Sequence, residues 1–337
     1  MQSKPFSCVI VGGGIAGLMA ATLLNSNGMS VRILDKGRGI GGRLATRRME
    51  HPETGTAVFD YGAQYFTARN PQFQSFVNDW LQEQIIEEWS DGFYDQSGGF
   101  KSTLEPRYRG VVSNRDIAKQ LATSFEVHTS TKVQHIEYVN RTWAVHTDSG
   151  SVFEADTLLL TPPVPQTLEL LRQSSITLNP LHMERLKSIE YAPCFTLLGV
   201  LSSESAIPHP GGLWLDGDPL AWIADNRKKG ISPKSHAVTV HAGPDFSKLY
   251  FEVDPQRVAD EMITAAMPYV RSEIIRHHIH RWKYATPLVT HGEPYLSNDS
   301  PGPLFMAGDS FGGKRVEGAA MSGIEAARSI VEWSASQ

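Results

Sequence analysis

Three glycines, Gly12, Gly14 and Gly17, stand directly behind the β-branched run Val9-Ile10-Val11 and constrain this chain more than any other feature. The run reads as a strand, the glycines as a tight turn, and Leu18 to Asn27 as a helix that Gly28 can cap. A second strand, Val31 to Leu34, ends on Asp35, eighteen residues beyond Gly17. Each part has a physical task. Gly12 permits the turn, Gly14 lets backbone approach a pyrophosphate, and Gly17 lets helix and strand pack closely. Free N–H groups at the helix start favour phosphate, so Ile15 and Ala16 join the expected contact surface. Asp35, an acceptor-only carboxylate, suits a ribose diol, with Lys36 beside it. The pattern predicts a dinucleotide site and leaves open which dinucleotide.

The 337 residues allow one large domain or two interleaved ones. A net charge of −5, with no block of like charge, argues against a nucleic-acid partner. Arg43, Arg47 and Arg48 form a local basic cluster better matched to a phosphate. Cys8 and Cys194 make neither a disulfide framework nor a C-x-x-C site. His277, His278 and His280 are expected on a strand, and no metal site is expected. The apolar start reads as a strand and not a signal peptide, and no run approaches 18 apolar residues. A soluble, cytoplasmic protein without a membrane partner is the expectation.

Along the chain, a hairpin is expected around Glu53-Thr54-Gly55 and a helix from Pro71 to Glu88, with loops and short strands from Trp89 to Gly110. Ser113 to Asp116 offers a helix cap. Strands follow at 125–128, 133–139, 142–147 and 152–153, and Thr157 to Thr161 reads as a buried parallel strand that Pro162 stops. Mixed strands and helices fill 166–283. A strand into Gly308-Asp309 and a helix from Glu317 to Trp333 close the chain.

Taken together, Gly12-x-Gly14-x-x-Gly17, Asp35, Arg38-Gly-Ile-Gly-Gly-Arg43, Thr131-Lys-Val133, Leu158-Leu-Leu-Thr-Pro162, Ala307-Gly-Asp309 and Val316-Glu-Gly-Ala-Ala-Met-Ser-Gly323 resemble the FAD-dependent amine oxidase superfamily over essentially the whole chain. The family usually carries Glu where this chain has Asp35. The resemblance implies an α/β fold of the p-hydroxybenzoate-hydroxylase and amine-oxidase kind. A discontinuous Rossmann-type FAD-binding domain (1–70, 108–165, 285–337) would carry an inserted α+β substrate domain (71–107, 166–284). It implies non-covalent FAD, since no cysteine follows Cys194. Gly42 and Arg43 would lie along the pyrophosphate, Val133 would bond adenine through its backbone, and Asp309, after Gly308, would hold a ribityl hydroxyl. Tyr61, Gly62, Ala63, Gln64, Thr161 and Pro162 complete the expected cofactor surface. The helix start at Val316, Glu317, Gly318 and Ala319 would face the flavin edge where reduction places negative charge. Small residues through Ala320, Ser322 and Gly323 would let that helix press on the ring.

A narrower resemblance, to the renalases, rests on Phe59-Asp-Tyr-Gly-Ala-Gln-Tyr-Phe66, Trp222-Ile-Ala-Asp-Asn226 with Lys228, Val240-His-Ala242 and Arg281-Trp-Lys-Tyr-Ala285. It implies oxidation of isomeric (2- or 6-) dihydro-NAD(P), with O2 as acceptor and H2O2 as product. Such a ring becomes aromatic by losing hydride, so positioning matters more than a base. Gln64, Tyr65, Asn226, His241, Trp282 and Tyr284 are the candidates for that role. Two alternatives stand beside it: an amine oxidase or desaturase on a small apolar amine, and a non-catalytic FAD-binding partner protein. The sequence leaves oligomeric state open.

Overall fold

The computed structural model describes residues 5–52 and 55–337. The chain forms two compact units. The first comprises the described part of Met1–Gly42 with Ala118–Glu190 and Pro287–Gln337. At its centre is a six-stranded sheet in the order Leu296–Asn298, Leu304–Met306, Thr157–Leu160, Ser7–Val11, Ser30–Leu34, Glu126–His128. Every neighbouring pair is parallel except the first. Parallel strands are covered on both faces and therefore run apolar; all four residues of Thr157–Leu160 are buried. From Ser7–Val11 the chain continues to one side into Ser30–Leu34 and later returns on the other side as Thr157–Leu160. Such a reversal opens a crevice at the carboxyl ends of the strands, where open α/β sheets bind ligands.

Helix Ile15–Ser26 follows the glycine turn, and Gly28, at φ +76°, turns the chain just beyond its end. The terminal helix Val316–Ala335 packs on it so closely that a Cβ at Gly323 would strike the Ala16 carbonyl. Ser322 Oγ donates to Pro294 O at 2.6 Å and accepts from Gly308 N at 2.8 Å. A Cβ on Gly318 would meet the Gly312 and Gly313 carbonyls. The small residues at 318, 322 and 323 therefore also serve the protein's own packing.

The second unit comprises the described part of Arg43–Ile117 with Tyr191–Thr286. Its seven-stranded sheet runs Ile274–Pro287, Tyr191–Leu201, Ala237–Ala242, Leu220–Asp225, Gly212–Trp214, Ile86–Asp95, Phe100–Gly110. Helix Pro255–Val270 presents Val258, Met262 and Ala266, one stripe at spacing four, to the core of that sheet. His277, His278 and His280 lie on the edge strand Ile274–Pro287, as expected.

Strands Thr46–His51 and Gly55–Asp60 pair as the expected hairpin; its turn residues Glu53 and Thr54 lie outside the described residues. Met49, Ala57 and Phe59 of this hairpin pack on Leu198, Val200 and Ala237. Residues 43–70 and 108–117 fall in the second unit and 166–190 in the first, the reverse of the division that the sequence suggested. The expected helix to Glu88 stops at Gln82. Gln84 takes φ +55°, and Ile86–Asp95 then forms a long hairpin with Phe100–Gly110 where loops and short strands were expected.

Candidate functional site

In the first unit, strand Ser7–Val11 ends in a turn whose three glycines have three separate causes. Gly12 sits at φ +108°, and its N–H donates to Leu34 O at 2.8 Å. A Cβ on Gly17 would strike the Gly12 carbonyl and crowd Ile10. A Cβ on Gly14 would meet nothing within 4 Å, so only a bound group gives that glycine a steric reason. Gly14 is also the helix N-cap and supplies no side-chain acceptor, which suits the first-turn N–H groups to an anion. Gly41 N donates to Gly13 O at 2.7 Å and brings the second glycine cluster against the first. Open space, unclaimed donors and a small-residue floor fit the pyrophosphate of a dinucleotide.

Asp35 does more than the sequence suggested. Its Oδ2 accepts from Gly13 N and its Oδ1 from Gly37 N, both at 2.6 Å. The carboxylate thus clamps the turn to the following loop, and each oxygen keeps a lone pair for a ribose hydroxyl. Lys36 Nζ donates to Gln166 Oε1 at 2.7 Å. Thr161 Oγ1 bonds the Val11 and Gly12 carbonyls at 3.0 and 3.1 Å, just before Pro162. Val133 opens its strand opposite Thr147. Gly308 has φ +143°, and Asp309, buried, begins a short helix. Val316, Glu317, Gly318 and Ala319 form the first turn of the terminal helix, with no side-chain cap.

In the second unit, the segment after Asp60 carries the candidate substrate residues. A Cβ on Gly62 would overlap the Arg43 carbonyl, and Ala63 N donates to that carbonyl at 2.7 Å. Arg43 Nη1 in turn donates to Ala285 O at 3.0 Å. The Tyr61 carbonyl gathers Trp282 Nε1 at 3.2 Å, Thr196 Oγ1 at 3.3 Å and His241 Nε2 at 3.3 Å. The Tyr61 ring stacks on Trp282, centroids 5.3 Å apart, and meets His280 edge-on at 4.9 Å. Gln64 Nε2 donates to Asp60 O at 2.7 Å and lies 3.4 Å from His241 Nε2; its buried Oε1 has no partner. Burial pushes His241 down to about 4, so the ring is neutral at physiological pH.

The six expected residues therefore separate. His241 and Trp282 converge on the Tyr61 carbonyl, and Gln64 stands beside His241. Asn226, fully buried, joins them through Thr239, whose Oγ1 accepts from Asn226 Nδ2 at 2.9 Å and donates to Asp60 O at 3.0 Å. Tyr65 belongs to a different aromatic cluster with Trp89, Phe93 and Trp222. Tyr284 packs edge-on against Tyr191 at 5.6 Å.

A buried ion pair went unread in the sequence. Lys229 Nζ lies 2.8 Å from Asp60 Oδ2 and 2.6 Å from Gln64 O, with both charged side chains inaccessible. Asp60 Oδ1 also accepts from Thr46 Oγ1 at 2.6 Å. The one available signal was an acid ending the apolar run Ala57-Val58-Phe59, which required a cation from elsewhere. Burial pushes the Cys8 and Cys194 thiols up to about 12, so neither offers a thiolate.

The comparisons with known proteins bear on the family and the fold. A model described as an NAD(P)-binding Rossmann-like domain matches residues 10–80, and one described as flavin containing amine oxidoreductase matches residues 108–331. Mouse renalase is 27% identical over 294 residues, covering 82% of this chain and 84% of that protein. Among solved structures, a putative protoporphyrinogen oxidase from Exiguobacterium sp. 255-15 has TM-score 0.74 at 14% identity, covering 98% of this chain and 99% of that one. Putrescine oxidase bound to putrescine gives 0.68 at 13%, with the same coverage; both likenesses bear on the fold. With its main family model spanning more than half of its length, the chain belongs to the flavin-containing amine oxidoreductases, as a renalase-like, FAD-dependent oxidoreductase.

Proposed function

We propose that this chain oxidises isomeric (2- or 6-) dihydro-NAD(P) to NAD(P)+, with O2 reduced to H2O2 by the hydride and one solvent proton. FAD, when bound, supplies the hydride acceptor and the reaction with O2. Gly12, Gly14, Gly17, Asp35 and Asp309 hold the dinucleotide cofactor in this reading. The observation that carries it is the chemistry around Tyr61. The Trp282 indole, stacked on the Tyr61 ring, and a neutral His241 both reach the Tyr61 carbonyl, with the Gln64 amide beside His241. Such a setting orients a flat ring and offers no poised base, which suits a substrate that becomes aromatic by losing hydride. Trp282 and Tyr61 supply faces, while Gln64 Oε1 supplies an acceptor with no partner inside the protein. A cytoplasmic location belongs to the same reading and is supported by two free cysteines. Among the described residues no helix is long and apolar enough to cross a membrane.

Anaerobic titration of the holoenzyme tests the proposal. Either isomer should bleach the flavin far faster than ordinary NADH does. Bleaching by a small apolar amine alone would establish an amine oxidase instead, and a flavin unmoved by every reductant would leave a binding protein.

A further inference from the structure

One face of the edge strand Ile274–Pro287 carries a basic ladder that the positioning of a nicotinamide ring does not use. Alternate residues of a strand share a face. Arg276 donates to the Glu50 carbonyl, His278 Nε2 accepts from Arg47 Nη1 at 2.7 Å, and His280 and Trp282 both meet Tyr61. His278 stands four residues, roughly 13 Å, from Trp282 along the strand. Arg115 N donates to Thr46 Oγ1 at 3.3 Å, next to Arg47, and the two cations oppose the burial that raises the Tyr61 phenol. Arg47 spends its hydrogen bond on an uncharged imidazole, and Arg115 Nε is buried with no partner. Neither guanidinium has an ion pair among the described residues, whereas neighbouring Arg48 reaches Asp116 at 3.9 Å. In a chain of net charge −5, such uncompensated cations beside an aromatic pair call for an anion.

We infer that Arg47, Arg115 and His278 bind the phosphates of the substrate, so that a phosphate-bearing dihydronicotinamide is preferred over the bare riboside. The inference rests on the dihydronicotinamide reading above and adds which part of that substrate is recognised. Guanidinium groups match phosphate oxygens with paired donors, and His278, once Arg47 turns to an anion, adds a third.

The test compares 6-dihydro-NAD with 6-dihydronicotinamide riboside as reductants of the holoenzyme, in the wild type and in Arg47→Gln, Arg115→Gln and the double variant. The preference for the dinucleotide should fall about tenfold in each single variant and further in the double. Arg47→Lys, which keeps the charge, should recover part of it and guards against misfolding as the cause. Calorimetry should detect inorganic pyrophosphate binding to the wild-type holoenzyme and not to the double variant. An unchanged preference, or variants that shed FAD while discriminating substrates as before, would overturn the inference; the second result assigns the patch to the cofactor's own phosphates. If neither reductant bleaches the wild type, the dihydronicotinamide reading fails, and pyrophosphate calorimetry alone then decides whether the anion seat exists.

Discussion

Lys229 Nζ lies 2.8 Å from Asp60 Oδ2, with neither side chain open to solvent. Burial lowers the Lys229 pKa and the Asp60 carboxylate raises it, so the ammonium depends on its partner. The same ammonium bonds the Gln64 carbonyl, tying both ends of the segment that carries Tyr61. Removing one member of a buried pair strands the other, at a cost of about 3–5 kcal/mol. Lys229→Met should lower stability by that amount in denaturant titration. Lys229→Met with Asp60→Asn should recover a large part of the loss; a double variant no better than the single would show that the pair is not coupled.

The three glycines of the first turn should fail in different ways when given a methyl group. Gly12→Ala meets a left-handed φ and Gly17→Ala a carbonyl, so each should destabilise the protein by roughly 1–3 kcal/mol. Gly14→Ala meets open space in the protein itself and should fold normally. Its defect should be in flavin content after dialysis, measured against unfolding midpoints of the flavin-free forms.

Acid should weaken the fold through two partly buried histidines. Burial pushes His241 down to about 4; burial, then His278 and Arg47, does the same to His280. In the unfolded chain each ring takes up its proton near 6.5. The unfolded state therefore binds more protons between those limits, and stability is lost as pH falls from about 6.5 to about 4, with no further loss from these groups below that. His241→Asn should flatten this slope. An identical slope in the variant would mean that other groups carry it.

Trp282→Phe keeps a ring against Tyr61 and deletes the indole N–H that reaches the Tyr61 carbonyl. The lost bond amounts to about 1 kcal/mol, a fewfold to tenfold fall in the rate of flavin bleaching at limiting substrate. Trp282→Leu should cost more, since the stack goes too. Stopped-flow reduction of the two variants separates the contributions.

Much of the first unit was legible because its signals are local. The strand, the glycine turn, the helix and Asp35 lie within thirty residues, and each obeys a short-range rule. The hairpin Ile86–Asp95 with Phe100–Gly110 was not legible, because Phe73, Val77 and Trp80 set a helical rhythm that Ile86-Glu87-Glu88 continues. What ends the helix is Gln84 at positive φ, a position without the glycine that usually marks it. Lys229 and Asp60 are far apart in sequence, so only the sheet brings them together. Residue type alone marks Trp282 and His241, but their meeting at one carbonyl depends on the pairing order of the second sheet. Charge is what the sequence shows of Asp35; its two bonds to backbone N–H groups follow from loop geometry that no residue pattern announces.

The contact of Gly323 with Ala16 joins the two ends of the chain. On a ribosome adding about 5–20 residues per second, Ala16 emerges roughly 15–60 s before its partner. Throughout that interval the nascent glycine turn has one flank bare, and strand Leu304–Met306 is missing from its sheet. A chaperone that shields apolar nascent helices has this window in which to act, and a truncated messenger would yield a chain that never closes it.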